Sequence, residues 1–427
     1  MRPRFYVPAC LRNFQGFTVR DIKEWSSDQR VEIHLEQKPN NKRICHKCKN
    51  PLGSYHDQYP MRAKHLKMMG FQVEIVFFRE KRFCLFCKKV RSQAIEWICP
   101  SSPHVTLDLS WWVNRLSEVT SVLAVSRLES VNKTACYKVD KYILRRLLQG
   151  YRIPKVTKIS VDEVYARSKK QLKSNETRDD LFLTIIVDLK THKAIWVSHS
   201  RKKQALDDFF KLIGPSACND IEVVAAYQHE SYAASVREYC PRATLVWDRF
   251  HLIQNFNEAL NEDRKEELEK IDPEGKMGDL MNGKYRHVFL TKASNRSLKD
   301  TRHIEEVSRL NNKMAKLELI KERLHDFFEA DDVKTAELIL AEVYQWSFDI
   351  NARNIWKWIK DIREKSTLYN YFKFKVTTGL SEGINRVIKG LKWQAYGYRD
   401  MAYFALKILQ KCGYLNSKYH NSILPAI

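Results

Sequence analysis

KISVDEV, the sequence of residues 158–164, is an apolar run that carries two acidic residues, Asp162 and Glu163. An apolar run of this length, bounded by polar residues, predicts a β-strand, and open sheets expose catalytic side chains at their strand ends. An acidic pair after a strand is also common in a solvated turn. The stretch alone therefore leaves a catalytic role and a solvated turn both open, and the rest of the chain decides between them.

The residues that follow this stretch alternate between strands and helices. We expect strands at 158–162, 181–188, 194–198, 221–226 and 243–247, and helices at 204–212 and 231–238. The first three strands would form an antiparallel meander, and the later two would alternate with helices. This is the element order of the ribonuclease-H-like fold, which gathers carboxylates at strand ends to hold two magnesium ions. The sequence therefore predicts a multidomain α+β protein with a ribonuclease-H-like α/β core.

The composition indicates a folded protein that binds polyanions. Of the 427 residues, 44% are hydrophobic and 11% aromatic, which is typical of a globular chain. The chain has 74 Lys and Arg against 51 Asp and Glu, a formal net charge of +23. This excess favours nucleic acid as the partner, with a solvated basic surface or an anionic membrane as alternatives. Because no run approaches the roughly 18 apolar residues of a spanning helix and no secretory segment follows Met1, we expect a cytoplasmic protein without membrane contact.

Four of the ten cysteines form two knuckles, Cys45-x-x-Cys48 and Cys84-x-x-Cys87, separated by 35 residues and flanked by lysines and arginines. The thiolates of such pairs turn back on one tetrahedral ion, and nearby cations favour the thiolate form. We predict one structural zinc ion, with free or redox-active thiols as the alternative. The other cysteines are scattered and are predicted to be small buried side chains: Cys10, Cys99, Cys136, Cys218, Cys240 and Cys412.

The region around the knuckles is the first predicted domain, residues 1–104. Alternating apolar residues predict a strand at 71–78 between the knuckles and a hairpin formed by 17–22 and 30–35 before them. Two prolines in the stretch 100–103 mark the end of this domain.

Residues 105–152 are predicted to form three helices, at 109–119, 122–129 and 133–148. In the third helix Ala135, Val139 and Ile143 recur at four-residue spacing and form the buried face. The opposite side carries the residues that a recognition helix would present to a major groove: Thr134, Lys138, Lys141 and Arg145. The pattern favours a helix-turn-helix. A helical hairpin without a DNA role is the alternative, because the turn lacks the usual glycine.

A charged helical insertion is predicted at 252–375, interrupting a core whose first part is 153–251. Its clearest periodic runs are 255–270, 303–328 and 333–346, and most of its charges are expected to form a solvated face. Residues 376–427 would complete the core.

The last part of the core contains the sequence SEGINRVIKGLKWQAYGYRD, residues 381–400. On a helix, four of its polar residues share one face: Glu382, Asn385, Lys389 and Lys392. A carboxylate followed by an amide and two cations fits a metal ligand beside a phosphate path. An ordinary amphipathic helix with a solvated glutamate is the alternative.

Asp162 in ISVDEV, the motif DRFH at 248–251 and the stretch 381–400 together resemble the DDE transposases of bacterial insertion sequences. The particular group carries an N-terminal four-cysteine zinc module and a helix-turn-helix, and the likeness spans nearly the whole chain in the family's order. The resemblance implies DNA transposition, with Asp162 and Glu382 as the first and third acids and magnesium or manganese as the catalytic metal.

The same resemblance implies double-stranded DNA as the partner, both the terminal inverted repeats of an element and its target. The zinc module and helix-turn-helix would bind the repeats, and the insertion would help to clasp the DNA. The residues after Glu382 that would contact DNA are Asn385, Lys389, Lys392 and Arg399. Bridging two DNA ends favours a homodimer on DNA.

The chain departs from the family at the second acid. In the family this acid follows the fourth strand, 21 residues before the Asp of DRFH, and here Tyr227 holds that position. A tyrosine supplies no carboxylate, so a pair of magnesium ions would be underbound. Glu230 and Asp248 are candidate substitutes, and His251 is a further candidate for the pocket. The sequence thus supports two hypotheses, an active transposase and a catalytically inactive, transposase-derived DNA-binding protein; a zinc-dependent RNA-binding or repair nuclease is a weaker third.

Overall fold

The computed structural model describes residues 14–228, 230–272, 274–281, 285–376, 379–416 and 418, without the side chains of residues 366 and 379–382. The chain divides into two compact units. The first joins Met1–Arg152 to Val387–Ile427, and the second is Ile153–Arg386. Throughout the described ranges, every helix falls short of the length and apolarity that a membrane crossing requires.

The first unit contains a five-stranded sheet. Its strands are β1 (Phe17–Trp25), β2 (Arg30–Gln37), β3 (Tyr55–Lys64), β4 (Gln72–Cys84) and β5 (Lys89–Ser92). The sheet order is β1-β2-β4-β3, and β5 pairs with β4. The predicted hairpin is confirmed as the antiparallel pair of β1 and β2. The predicted strand between the knuckles is also confirmed but runs on to Cys84, and its alternate residues Val73, Ile75 and Phe77 are buried.

Three helices follow this sheet: α1 (Leu107–Val119), α2 (Val122–Leu128) and α3 (Lys133–Gly150). Each begins at a side chain that accepts a hydrogen bond from the first turn, since Thr106, Ser121 and Asn132 are the N-caps. The three predicted helices are confirmed. Val139 and Ile143 are fully buried on α3 as expected, whereas Ala135 is only half-buried.

The second unit contains another five-stranded sheet. Its strands are β6 (Lys158–Tyr165), β7 (Phe182–Asp188), β8 (Lys193–His199), β9 (Val223–Ala226) and β10 (Thr244–Trp247). Helices α4 (Lys203–Asn219) and α5 (Glu230–Tyr239) lie between the later strands. The order is β10-β9-β6-β7-β8, with β6, β7 and β8 antiparallel and β9 and β10 parallel to β6. This is the ribonuclease-H-like arrangement that the sequence predicts.

The predicted end of the first core strand at Asp162 is wrong. Strand β6 continues to Tyr165 because residues 162–165 keep their antiparallel pairing with β7. The parallel pairing with β9, in contrast, stops at Val161. Asp162 is therefore the residue at which one side of the strand loses its neighbour.

The predicted helical segment is a bundle that packs on the β9 and β10 side of the second sheet. Its helices are α6 (Arg249–Leu268), α7 (Lys276–Met281), α8 (Tyr285–Leu290), α9 (Leu298–Leu310), α10 (Asn312–Glu329), α11 (Val333–Asp349), α12 (Arg353–Arg363) and α13 (Ser366–Phe374). They share one hydrophobic core with Val223, Val246 and Trp247 of the sheet. The amide of Asn370 on α13 also donates a 2.9 Å hydrogen bond to the Leu245 carbonyl oxygen on β10.

Two predicted helix boundaries in this bundle are wrong. The expected single helix at 303–328 is two helices, α9 and α10, because Asn311 has an extended backbone and its side chain accepts a hydrogen bond from the Met314 N–H. Helix α6 begins at Arg249, six residues before the expected start at Asn255, because Asp248 caps it.

Two helices complete the chain, α14 (Gly379–Gln394) and α15 (Met401–Cys412). Within the first unit, α15 packs on α1 and α3 through buried polar side chains. The Asn114 amide donates to one Asp140 oxygen at 2.7 Å, while Tyr403 donates its hydroxyl to the other. Lys407 lies 3.3 Å from the second oxygen and donates to the Ser117 carbonyl oxygen at 2.7 Å. The Asp140 and Lys407 charges are therefore neutralised inside this unit.

Candidate functional site

Three residues occupy neighbouring positions at one edge of the second sheet. Strands β6, β9 and β10 are parallel, with Val161 beside Ala226 and Ala226 beside Trp247. The residues that directly follow these three positions along the chain are Asp162, Tyr227 and Asp248. Because parallel strands end at the same edge of a sheet, the sheet places these three residues side by side, with Tyr227 in the middle.

Both oxygens of the Asp162 carboxylate accept hydrogen bonds. The Glu163 main-chain N–H donates to Oδ1 at 2.7 Å, and the Asn385 amide nitrogen donates to Oδ2 at 2.6 Å. The residue is only 8% exposed. These two donors fix the orientation of the carboxylate. Asn385 was predicted to contact DNA, but its side-chain amide nitrogen donates its hydrogen bond to Asp162.

Asp248 and Asp162 both face the imidazole of His251. Asp248 accepts a 2.9 Å hydrogen bond from the Phe250 N–H as the N-cap of α6, and its other oxygen lies 3.5 Å from His251 Nε2. The same nitrogen is 3.6 Å from Asp162 Oδ1. Burial disfavours the charged imidazolium, but the carboxylates of Asp162 and Asp248 outweigh it and raise the pKa of His251.

Tyr227 contacts the same imidazole. Its ring meets the His251 ring edge to face, with centroids 4.7 Å apart and an interplanar angle of 80°. The aromatic ring of Tyr227 thus contacts the imidazole that also lies near Asp162 and Asp248. A phenol supplies no carboxylate, so the described side chains that meet at His251 are two carboxylates and one tyrosine ring.

Glu163 belongs to a different set of contacts from Asp162. Successive residues of a strand face opposite sides of the sheet, and β6 includes both residues. The Tyr232 hydroxyl donates to Glu163 Oε1 at 2.9 Å, and Arg201 NH1 lies 3.5 Å from Oε2. Arg201 also binds Asp179 at 2.8 Å.

Burial raises the pKa of the Tyr232 hydroxyl, which therefore stays a donor. Sequence reasoning missed Tyr232 and Arg201. The period-two alternation of the strand was the signal that could have separated Glu163 from Asp162.

The other acidic candidates lie apart from Asp162 or outside the described side chains. Glu230 is the first residue of α5, its side chain is 81% exposed, and it pairs with Arg237. Glu382 lies on α14 three residues before Asn385, and its side chain is outside the described part of the chain.

The four knuckle cysteines come together in the first unit. Their sulfur atoms all lie within 4.8 Å of one another, and Cys48 Sγ is 3.5 Å from Cys84 Sγ. Zinc bonded to four sulfurs at about 2.3 Å sets neighbouring sulfurs about 3.8 Å apart, so the group fits this ion. The Asn50 main-chain N–H lowers the pKa of the Cys48 thiol to about 6, whereas the hydrogen bond with Cys48 raises the pKa of the Cys87 thiol to about 11. Of these two thiols, Cys48 therefore ionises first.

No other set of three or more His, Cys, Asp or Glu side chains in the described residues is gathered closely enough to hold a metal ion. Among the described side chains, Asp162, Asp248 and His251 are thus not such a set, and their two carboxylates alone offer few anionic ligands for a pair of magnesium ions. The prediction of small buried cysteines is confirmed for Cys99, Cys136, Cys218, Cys240 and Cys412, whereas Cys10 lies outside the described residues.

The predicted DNA-contacting residues differ in their surroundings. On α3, Thr134, Lys138 and Arg145 are exposed, but Lys141 pairs with Asp400 and is largely covered. Of the predicted DNA-contacting residues after Asn385, Lys389 and Arg399 are exposed. Lys392 is half-buried, and desolvation lowers the pKa of its ammonium group.

Comparison with known proteins gives a family match over more than half of the chain. A family model of the DDE type and ISL3 group, described as "Transposase", matches residues 159–408. The transposase for insertion sequence element IS1001 of Bordetella parapertussis is 22% identical over 403 residues, covering 93% of this chain and 96% of that protein. The transposase for insertion sequence element IS1557 of Mycobacterium tuberculosis is 27% identical over 114 residues, covering 27% of this chain and 23% of that protein. The matched range includes Asp162, Tyr227, Asp248 and the stretch up to Arg399.

Proposed function

This chain belongs to the transposase family of the DDE type, and on that premise we propose that it binds the double-stranded DNA ends of an insertion sequence. We further propose that its carboxylate pocket has lost most strand cleavage, so that DNA binding is the function that remains. A homodimer that bridges two ends in the cytoplasm, on the nucleoid, is the corresponding assembly.

The charge and the first unit support DNA binding. The chain carries a net charge of +23. Exposed residues of α3, among them Lys138 and Arg145, form a surface that suits a major groove as the recognition helix of a helix-turn-helix. Phosphate contacts by such cations supply most of the affinity for duplex DNA and weaken as salt rises.

Zinc bound by Cys45, Cys48, Cys84 and Cys87 would fold the knuckle region. When bound, the ion would hold four thiolates and would crosslink the end of β4 and the turn before β5 to the loop before β3. The metal would thus hold the shape of a DNA-binding surface without taking part in a reaction.

The observation that carries the loss of cleavage is the position of Tyr227 between Asp162 and Asp248. Strand cleavage by two metal ions requires hard anionic ligands for both ions. Asp162 already accepts two hydrogen bonds, Asp248 caps a helix, and His251 lies against both carboxylates. A neutral phenol between them leaves no third carboxylate along these three strand ends.

The test uses a supercoiled plasmid carrying the neighbouring element ends, incubated with magnesium or manganese. We expect the natural protein to retard the end fragments in a gel but to leave the plasmid intact. Tyr227→Asp should restore nicking, the matched Tyr227→Phe should not, and adding Glu382→Gln to Tyr227→Asp should abolish it again. Failure to bind the ends would refute the proposed DNA binding, and nicking by the natural protein that Glu382→Gln removes would refute the loss of cleavage.

One observation favours a second candidate, a strand-cleaving transposase in which Asp248 serves as the second acid. Asp248 and Asp162 lie within 3.6 Å of the same His251 nitrogen, so the two carboxylates share one pocket. Under this alternative the natural protein nicks the plasmid and Asp248→Asn abolishes nicking. Because asparagine is an equally good N-cap, α6 should stay intact in this variant.

A further inference from the structure

The first unit contains a cavity of about 520 Å³ beside α3. Its walls come from the end of α1, the first turns of α2 and α3, the end of α14 and the start of α15. The volume lies within the range of about 300–1,000 Å³ that is typical of ligand pockets, and it is too small for a DNA duplex. The cavity lies outside the carboxylate pocket of the second unit and is not used by the proposed chemistry.

Aromatic rings line this cavity. Tyr398 lines the cavity and stacks on Phe404, with ring centroids 4.4 Å apart and 13° between the ring planes. This stacking fixes the orientation of the Tyr398 ring in the cavity wall. Tyr396 stands at the rim with 96% of its surface exposed. Its backbone has φ of 54°, a left-handed conformation that is uncommon for a bulky residue, and Gly397 follows with φ of 92°. The tight turn after α14 thus holds an aromatic side chain in solvent at the mouth of the cavity.

The charges around the cavity favour an anion. Arg399 and Lys133 line it, both are exposed, and no hydrogen bond or ion pair involves their side chains in the described part of the chain. The one carboxylate among the lining residues, Asp400, is already paired with Lys141 and accepts from the Tyr137 hydroxyl. The mouth of the cavity therefore carries a net positive charge.

We propose that this cavity holds an unpaired nucleotide of bound DNA, with the base among the tyrosines and the phosphate at Arg399 and Lys133. Bases stack on aromatic side chains regardless of sequence, and cations beside such rings contact the backbone. A base that has left its helix enters a pocket of this kind, whereas a paired base does not. The proposal rests on the proposed function, because it requires that the chain binds DNA.

The experiment compares the full-length protein on two labelled probes, a blunt duplex and the same duplex with a short single-stranded thymine overhang. We expect the overhang probe to bind about 5- to 100-fold more tightly than the blunt probe. Tyr396→Ala should remove most of that preference, and Tyr396→Phe should keep it because the ring remains. Since Tyr396 is almost fully exposed, its replacement should not disturb folding.

Trp393→Ala is the matched control. Trp393 is 82% exposed on α14, one turn before Tyr396, but does not line the cavity. This variant should keep the preference for the overhang. Permanganate, which oxidises unstacked thymines, gives an independent readout, and the natural protein and Trp393→Ala should protect the overhang whereas Tyr396→Ala should not.

The outcomes separate this proposal from the proposed function. Equal affinity of the natural protein for both probes, with no protection from permanganate, overturns the nucleotide site and leaves duplex binding standing. If Trp393→Ala and Tyr396→Ala lost the preference for the overhang probe equally, the cavity would not be the binding site, because the base would then stack on the outer surface. Absence of binding to either probe overturns both proposals.

Discussion

At the scale of single residues, His251 lies between the carboxylates of Asp162 and Asp248. We expect this histidine to make the stability of the second unit depend on pH. The pKa of His251 is raised above its ordinary value of 6.5, so the folded state binds a proton more tightly than the unfolded state. Its contribution to stability is therefore complete below about pH 6.5 and is lost as the pH rises through the higher folded pKa.

The test of this dependence is thermal unfolding without added magnesium or manganese at a series of pH values from below to above neutrality. The natural protein should lose stability with rising pH across this window, and His251→Gln should lose less, because glutamine does not titrate. Equal slopes for the two proteins would show that other groups cause the dependence.

Tyr232 should stabilise the sheet through its hydroxyl. This fully buried side chain donates to Glu163 and lies 3.1 Å from the Thr184 hydroxyl. Tyr232→Phe leaves the Glu163 carboxylate short of a donor and should cost about 1–3 kcal/mol of unfolding free energy in urea. Tyr55→Phe, at a tyrosine that is 54% exposed, should change it by less than about 0.5 kcal/mol. A similar small effect at both positions would contradict a role for the Tyr232 hydroxyl.

The sequence predicted Tyr227, Asp248 and His251 as pocket candidates but not the contact of Asp162 with Asn385. The position of Tyr227 follows from its spacing to the DRFH motif along the chain. The register of the parallel strands β6, β9 and β10 then brings Asp162, Tyr227 and Asp248 together. Asn385 meets Asp162 from 223 positions away along the chain. Sequence periodicity does not predict such a pair. It shows which residues lie on the same face of a helix, but not which side chains of other elements contact that face.

At the scale of elements, α15 should depend on one buried ion pair in the first unit. Lys407→Met leaves Asp140 with an uncompensated charge in a fully buried position and should destabilise this unit by about 3–5 kcal/mol. Adding Asp140→Asn should recover part of the loss. Denaturant unfolding followed by tryptophan fluorescence measures both effects.

Lys411→Met is the control for this pair. Lys411 lies one turn further along α15, is exposed, and donates to the Glu118 carbonyl oxygen at 2.8 Å. Its replacement should cost less than about 1 kcal/mol. If Lys411→Met and Lys407→Met were equally destabilising, the cause would be lost helix packing and not the buried charge.

Elements were predicted well where the pattern was regular and poorly where one side chain changed the backbone. The meander and the later strands follow from apolar runs, and their order follows from the alternation of strand and helix. The break between α9 and α10 depends on Asn311, whose side chain caps a new helix inside a continuous amphipathic pattern. Lys407 fits a polar helix position in the sequence, and only the packing of α15 on α3 makes it buried.

At the scale of the whole molecule, the two units should respond differently to loss of zinc. Elemental analysis should find about one zinc ion per chain. Cys84→Ser should lower that ratio and reduce the stability of the first unit, since a structural zinc site contributes directly to folding. Cys240→Ala, at a buried cysteine of the second unit, should keep the zinc. Less than about half an ion per chain in the natural protein would exclude the four-cysteine site.

The proposed loss of cleavage at Tyr227 has a consequence for the insertion sequences that share one cell. A chain that occupies element ends without cutting them competes with any intact relative for the same ends, and the outcome depends only on their concentrations and affinities. A higher concentration of this chain would then lower the frequency at which such a relative transposes its element. Replacement of Tyr227 by aspartate at one codon would convert this inhibitor into a second active transposase that acts on the same ends.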